Sequence, residues 1–312
     1  MKNKLLFIFI IIFIAAWSAT VVYFFEKKQS TGLPISKKIK VVTTLFPTYD
    51  FAKQIGGDKI EVTLLLPPGM EPHVFEPTPL DIIKISQADI FVYTGDFMEP
   101  WVTDILSGIN NINLKVVNTS DGVEMIKDTD GHENSDGLDP HIWLDLNNAS
   151  IMVEDILKAL VVVDPVNKIF YQNNAKFYTN KLSILDSHYH NELSKCSKDE
   201  FIHGGHFVFG YLANRYGLKY LSAQGFSPDS EPTPQQLISL SKQIKKLGLN
   251  YIYFEELVDP KVAKTIADET GAQLLLLHGA HNLSEQELSN GITYEQIMEN
   301  NLTNLKIGLQ CQ

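Results

Sequence analysis

Ile60-Glu61-Val62-Thr63-Leu64-Leu65-Leu66 runs into Pro67-Pro68-Gly69-Met70-Glu71-Pro72-His73-Val74-Phe75-Glu76-Pro77-Thr78-Pro79. The first seven residues read as a strand, and residues 79–87 beyond the loop read as a helix, with Asp81 in its first turn. Between them, residues 69–79 hold one histidine, two carboxylates and three prolines. Proline fixes φ and drives the residue before it out of the helical region, so this loop is stiff and His73 leaves it at a defined angle. A stiff loop past the end of a strand is where open α/β sheets place ligand-binding groups.

The same rhythm extends in both directions. Residues 39–46 predict a strand, 47–55 a helix stopped by Gly56-Gly57, 90–93 a strand, 99–107 a helix and 114–118 a strand. Strands alternating with short helices indicate a mostly parallel sheet. The pattern breaks at 127–139, an acidic, glycine-bearing stretch that contains His132 and ends in Asp139-Pro140-His141-Ile142-Trp143-Leu144-Asp145. Its composition is that of a loop, and His132 reads there as a solvated residue. From Asn148 the chain turns helical, and Asp164-Pro165 supplies an N-cap and a proline at the first helical position. Tyr178, Leu182, Leu185, Tyr189 and Leu193 recur at helical spacing, and neither proline nor glycine interrupts 166–195. Such a helix is about 45 Å long, the span of a domain. His188 and His190, two apart near its end, face different sides and read as surface residues.

A second set of strands follows at 200–203, 218–221, 251–254 and 273–277, with helices at 207–216, 232–247, 260–270 and 294–307. The sequence itself does not repeat. The expected architecture is α/β: two lobes with mostly parallel sheets flanked by helices, 39–163 and 197–312, joined by one long rigid helix, 164–196.

The chain has 312 residues, 44% hydrophobic and 20% charged, enough for one large or two modest cores. A net charge of −11 and the lack of a basic stripe exclude nucleic acid as a partner. Ahead of the fold, Lys2 and Lys4 precede an uncharged run, 5–25, followed by Glu26, Lys27 and Lys28. Residues 1–28 therefore read as a signal peptide or a membrane anchor, and the length of the run favours the anchor. No cysteine follows to carry a lipid, and 29–38 is a polar linker. Either reading exports the protein. Outside the cytoplasm a cysteine pair forms a disulfide more often than two thiols. Cys196 at the end of the long helix and Cys311 after the last helix are expected to be bridged.

Four histidines share one kind of position. His73, His141, His206 and His281 each sit in a loop past a predicted strand, two in each half. Imidazole suits zinc, and four nitrogen donors complete a tetrahedral shell. Each ring also needs its second nitrogen held, for which Glu71, Glu76, Asp139 and Asp145 are near in sequence. His203 and His278, within or at the ends of predicted strands, read as core or supporting residues.

These segments carry a resemblance. Thr43-Thr44-Leu45-Phe46-Pro47, Leu66-Pro67-Pro68-Gly69-Met70-Glu71-Pro72-His73, Met98-Glu99-Pro100-Trp101, Asp139-Pro140-His141-Ile142-Trp143-Leu144, His206 with Phe209-Gly210-Tyr211, Gln224-Gly225-Phe226-Ser227-Pro228, Phe254-Glu255-Glu256, Glu269-Thr270-Gly271-Ala272, and Tyr294 with Met298 and Asn301 run in order from about residue 39 to the C-terminus. Together they resemble the substrate-binding proteins of zinc and manganese ABC transporters with a rigid helical backbone. The resemblance implies metal bound in a cleft between two lobes, with His73, His141 and His206 as ligands. The fourth ligand varies in this family between carboxylate, histidine and water. His281 falls where some zinc-binding members place a glutamate, and Ile292-Thr293 occupies the region of the family's late aspartate.

The reading is a binding protein, not an enzyme. It captures a divalent ion outside the cell, zinc in preference to manganese, and passes it as a monomer to an ABC permease. A zinc hydrolase with Glu71 as general base, and a surface adhesin on the same fold, are the alternatives. The chain contains neither a His-Glu-x-x-His motif nor a nucleophile elbow. One uninterrupted helix is a poor hinge, so the lobes are expected to move little on metal release, with changes confined to the ligand loops and 127–139. For the N-terminus the anchor is the expected form. N-terminal sequencing of the mature protein should then read from the start of the chain, whereas a start beyond Ala16-Trp17-Ser18, a mediocre cleavage site, marks a cleaved signal. Recovery of the full chain in the cytosolic fraction contradicts both.

Overall fold

In the computed structural model the described residues are Trp17, Thr20, 38–127, 138–225 and 232–312. The apolar run 5–25 apart from Trp17 and Thr20, the linker up to residue 37, and the part of the acidic loop that holds His132 lie outside them. Among the described residues no helix is long and apolar enough to cross a membrane.

Strands β1 (Ile39–Thr43), β2 (Ile60–Leu64), β3 (Ile90–Tyr93) and β4 (Lys115–Asn118) form one parallel sheet in the order β2-β1-β3-β4. Strands β5 (Glu200–His203), β6 (Lys219–Ser222), β7 (Tyr251–Phe254) and β8 (Gln273–Leu276) form a second in the order β6-β5-β7-β8. One topology is thus used twice without a sequence repeat. In each sheet the order reverses beside the first strand, and crevices for ligands open at the carboxyl ends of strands at such a switch point.

The helices are α1 (Phe46–Gly56), α2 (Pro79–Ser86), α3 (Val102–Gly108), α4 (Leu146–Val163), α5 (Lys168–Leu193), α6 (Gly210–Tyr216), α7 (Pro234–Leu247), α8 (Lys261–Thr270), α9 (Glu285–Asn290) and α10 (Tyr294–Gly308). Several boundaries depart from expectation because of proline. The strand at 39–46 stops at Thr43, because Pro47 sits in the first turn of α1. Pro100 pushes the start of α3 to Val102. Helix α9 was not foreseen, although Ser284 and Glu287 form a capping box that the Ser-x-x-Glu spacing encodes.

The long helix begins at Lys168, after a 3-10 turn, Pro165–Asn167. Asp164 does not cap it through a backbone N–H. Its carboxylate instead accepts from Asn167 Nδ2 and Tyr171 Oη, both at 2.7 Å. The 26 residues of α5 span about 39 Å. Tyr171, Ala175, Tyr178, Leu182, Leu185, Tyr189 and Leu193 form its buried face. That face packs on α1 and α4 from the first lobe and α10 from the second. The Arg215 guanidinium grips Asp186 of α5 at 2.6 and 2.7 Å and reaches Asp145, which caps α4, at 3.2 Å. One apolar core runs from Val41 through this helix to Leu309, and a smaller one lies under α7 and α8. Truncating a buried leucine such as Leu182 to alanine costs about 2–5 kcal/mol in a core of this kind.

Cys196 and Cys311 are joined by a disulfide across 115 residues, as the sequence predicted. It ties the end of α5 to the end of α10, closing nearly the whole second lobe. A cross-link over such a loop stabilises chiefly by constraining the unfolded chain. The Cys196→Ser, Cys311→Ser double variant is therefore expected to lose about 2–5 kcal/mol in denaturant unfolding. A midpoint unchanged from wild type would show that the bridge contributes nothing.

Candidate metal centre

Each of the four loops past the strands delivers one imidazole. Beyond β2, Pro72–Val74 form a 3-10 turn, and the Glu71 side chain accepts the N–H of His73 at 3.2 Å, so the glutamate orients the backbone that carries the ring. Pro140 and a second turn, Ile142–Leu144, set His141. His206 lies between β5 and α6, and His281 follows β8. In this last loop the left-handed residue is Ala280, at φ 57°. Gly279 has a different part: a Cβ there would sit 2.5 Å from Cε1 and Nδ1 of His281. The glycine makes room for the ring.

The four rings meet. One ligand nitrogen from each of His73, His141, His206 and His281 lies within 4.8 Å of the others. The six pairwise centroid distances run only from 5.0 to 5.9 Å, close to a regular tetrahedron. His141, His206 and His281 are buried and His73 is partly exposed, which marks the open side. Nε2 of His206 and of His281 has no hydrogen-bond partner. A buried polar atom left without a partner costs about 1–3 kcal/mol unless something occupies the space before it.

The opposite ring edges are held. His141 Nδ1 is 2.7 Å from Asp139 Oδ1, His206 Nδ1 is 2.6 Å from Glu255 Oε2, and His281 Nδ1 is 3.5 Å from Glu256 Oε1. Of the carboxylates expected for this role only Asp139 takes it. Glu76 is exposed, Asp145 caps α4, and Glu71 serves the His73 backbone. Glu255 and Glu256 were missed, being 49 and 25 residues from their histidines. The available signal was their place at the carboxyl end of β7, the same kind of position as the histidines.

His203 and His278 stay outside the cluster. His203 is buried with Nδ1 3.1 Å from the His206 carbonyl. The His278 ring lies between Glu256 at 3.3 Å and Glu287 at 3.5 Å. His188 and His190 are exposed on α5.

Hydrogen bonds between the lobes surround the site. Phe46 N donates to the His281 carbonyl at 3.2 Å, and Gly69 N to that of Leu283 at 2.8 Å. Asn282 Nδ2 donates to the carbonyls of Pro67 and Met70 at 2.6 and 3.0 Å. Trp143 Nε1 donates to the Gly279 carbonyl at 2.7 Å, linking the loops of His141 and His281.

Burial and the neighbouring rings hold His73, His141 and His206 well below the ordinary imidazole value. Burial opposes charge on His281 too, but its hydrogen bond to Glu256 and the nearby carboxylates Glu256, Glu71 and Glu255 outweigh it and raise the value. Glu255 is pushed up to about 7 by burial. For Glu256 burial is outweighed by His278, His281 and the Gly279 N–H, and it falls to about 2. NMR titration of the metal-free protein is therefore expected to show His281 protonating above pH 6.5 and the other three remaining neutral well below it. Four titrations clustered near 6.5 would contradict this electrostatic picture.

Residues 41–308 match the family model described as zinc-uptake complex component A, periplasmic. The high-affinity zinc uptake system protein ZnuA of Bacillus subtilis is 41% identical over 281 residues, covering 87% of this chain and 88% of its own length. The zinc-binding protein AdcA of Streptococcus pyogenes is 35% identical over 98% of this chain, which spans 62% of that longer protein. The Zn(II)-bound ZnuA-like domain of Streptococcus pneumoniae AdcA superposes with a TM-score of 0.75 at 36% identity, covering 87% of this chain and 99% of that one.

Proposed function

This chain belongs to the family of the periplasmic zinc-uptake complex component A, and from that membership we propose that it captures a zinc ion outside the cytoplasm and delivers it to an ABC permease. The observation that carries the reading is the convergence of four imidazole nitrogens with their outer edges held by carboxylates. Neutral imidazoles in a tetrahedral set match zinc, whereas manganese prefers carboxylate oxygens and higher coordination. Asp139, Glu255 and Glu256 are occupied with the rings, so nitrogen is what the site offers.

Zinc is cargo, bound by His73, His141, His206 and His281. Its charge satisfies the inward nitrogens that the fold leaves without partners. Three carboxylates in the immediate surroundings offset that charge. A closed four-nitrogen shell has no open position for a reactive water, and a Glu71 oxygen is engaged by the His73 N–H, so the hydrolase reading gains no support. The chain acts as a monomer, held at the outer membrane face by its N-terminal segment, and the partly exposed His73 side is the route for loading and release.

Protons compete with zinc for the same nitrogens. The sign follows from the shift: the His281 value is raised, so in the metal-free protein this ring takes up a proton at higher pH than an ordinary imidazole and must lose it on binding. Affinity therefore falls first as pH drops through the His281 value, before protons compete for the other three rings. Replacing His73, His141, His206 or His281 singly by alanine is expected to weaken zinc binding by more than about a hundredfold, beyond the 10–100-fold typical of losing an outer hydrogen bond. His203→Ala and His278→Ala should cost less. Competition titration against a fluorescent chelator measures both effects. Wild-type affinity in His281→Ala would remove it from the shell and leave three histidines with Glu71 or water.

A further inference from the structure

Building on the zinc reading of this site, we propose that Glu256 is the positioning residue that makes His281 a ligand, and through it the residue that sets the preference for zinc over manganese. His281 has no regular element beneath it: β8 ends at Leu276 and α9 begins at Glu285. The loop also carries a cost, because Ala280 adopts φ 57°, a left-handed conformation that an L-residue disfavours. Something outside the loop must hold it.

Glu256 does so with both oxygens. Oε2 accepts the Gly279 N–H at 2.6 Å, and Oε1 lies 3.5 Å from Nδ1 of His281. Nδ1 of His278 accepts the N–H of Ala280 at 2.9 Å, so that ring braces the main chain of the loop. Asn301 clasps the His278 backbone from both sides, its Oδ1 accepting the N–H and its Nδ2 donating to the carbonyl, each at 2.8 Å. The Gly279 main chain and the His281 ring are thus held by one buried carboxylate that comes from a separate segment, while His278 and Asn301 brace the rest of the loop. That segment is itself held in an uncommon form, with Leu257 at φ 63°.

The consequence for selectivity is chemical. A carboxylate engaged by a backbone N–H and an imidazole edge is not presented to the metal, and the ring it orients presents nitrogen in its place. With Glu256 intact the fourth donor is an imidazole. Without it the ring is free to turn away and the shell opens to water, which lowers the preference for zinc while leaving manganese little affected.

Glutamine at this position has one oxygen and cannot accept from both Gly279 and His281. In the full chain, Glu256→Gln is expected to weaken zinc binding by about 10–100-fold, with manganese affinity unchanged, so the zinc-to-manganese preference falls by the same factor. Cobalt(II), loaded alone, should show its visible bands shifted and weakened as an oxygen takes the place of one imidazole. In a His281→Ala background Glu256→Gln should have no further effect on zinc affinity, because the two act as a unit. Wild-type affinity and an unchanged cobalt spectrum in Glu256→Gln overturn the proposal, even where its melting temperature falls. An equal further loss in the His281→Ala background overturns it too. If the glutamine variant does not fold, Glu256→Asp, too short to span both contacts, is expected to show the same loss of preference, and unchanged preference there overturns the proposal. A wild-type protein that takes up no zinc overturns the zinc reading itself; normal wild-type binding with silent variants overturns only the role of Glu256.

Discussion

Four imidazoles pressed together are stable only if almost all of them are neutral. In this protein burial and mutual repulsion keep His73, His141 and His206 uncharged, while three carboxylates fix the outer edges of His141, His206 and His281. With their outer edges engaged, His141 and His206 turn their Nε2 atoms inward, and His281 joins them once it has lost its proton. Much of the surrounding architecture serves this arrangement. The two sheets present the carboxyl ends of their strands to it, the glycine at 279 clears space for a ring, and Glu71 steadies the turn that carries the most exposed histidine.

Such a set needs lobes that stay in register. Beside the four histidines, five hydrogen bonds cross between the lobes, from Phe46, Gly69, Trp143 and twice from Asn282. Behind them α5 buries seven side chains against helices of both lobes. A hinge would have to break this core, whereas the loops need only exchange polar contacts. Under the proposed function, release would therefore go through loop rearrangement around His73.

Much of this was legible in the sequence because it is local. Strand–loop–helix alternation, glycines closing α6, α7 and α8 in left-handed form, and histidines beside proline or glycine are patterns of neighbouring residues. The disulfide was legible from compartment and cysteine count. What escaped is non-local: Glu255 and Glu256 meet their histidines only after two strands pair, and nearness in sequence pointed instead to Glu76 and Asp145, which do other work. The start of α5 was misplaced for a different reason. The Asp-Pro pair opens a 3-10 turn, and the regular helix waits until Lys168.

The central claim, a closed shell of four neutral imidazoles, is tested most directly by X-ray absorption at the zinc edge of the purified, zinc-loaded protein. Four nitrogen scatterers at about 2.0–2.1 Å, with the multiple-scattering signature of four imidazole rings, are the expected result. Three imidazoles with an oxygen in the fourth position, or a five-coordinate ion, would contradict it.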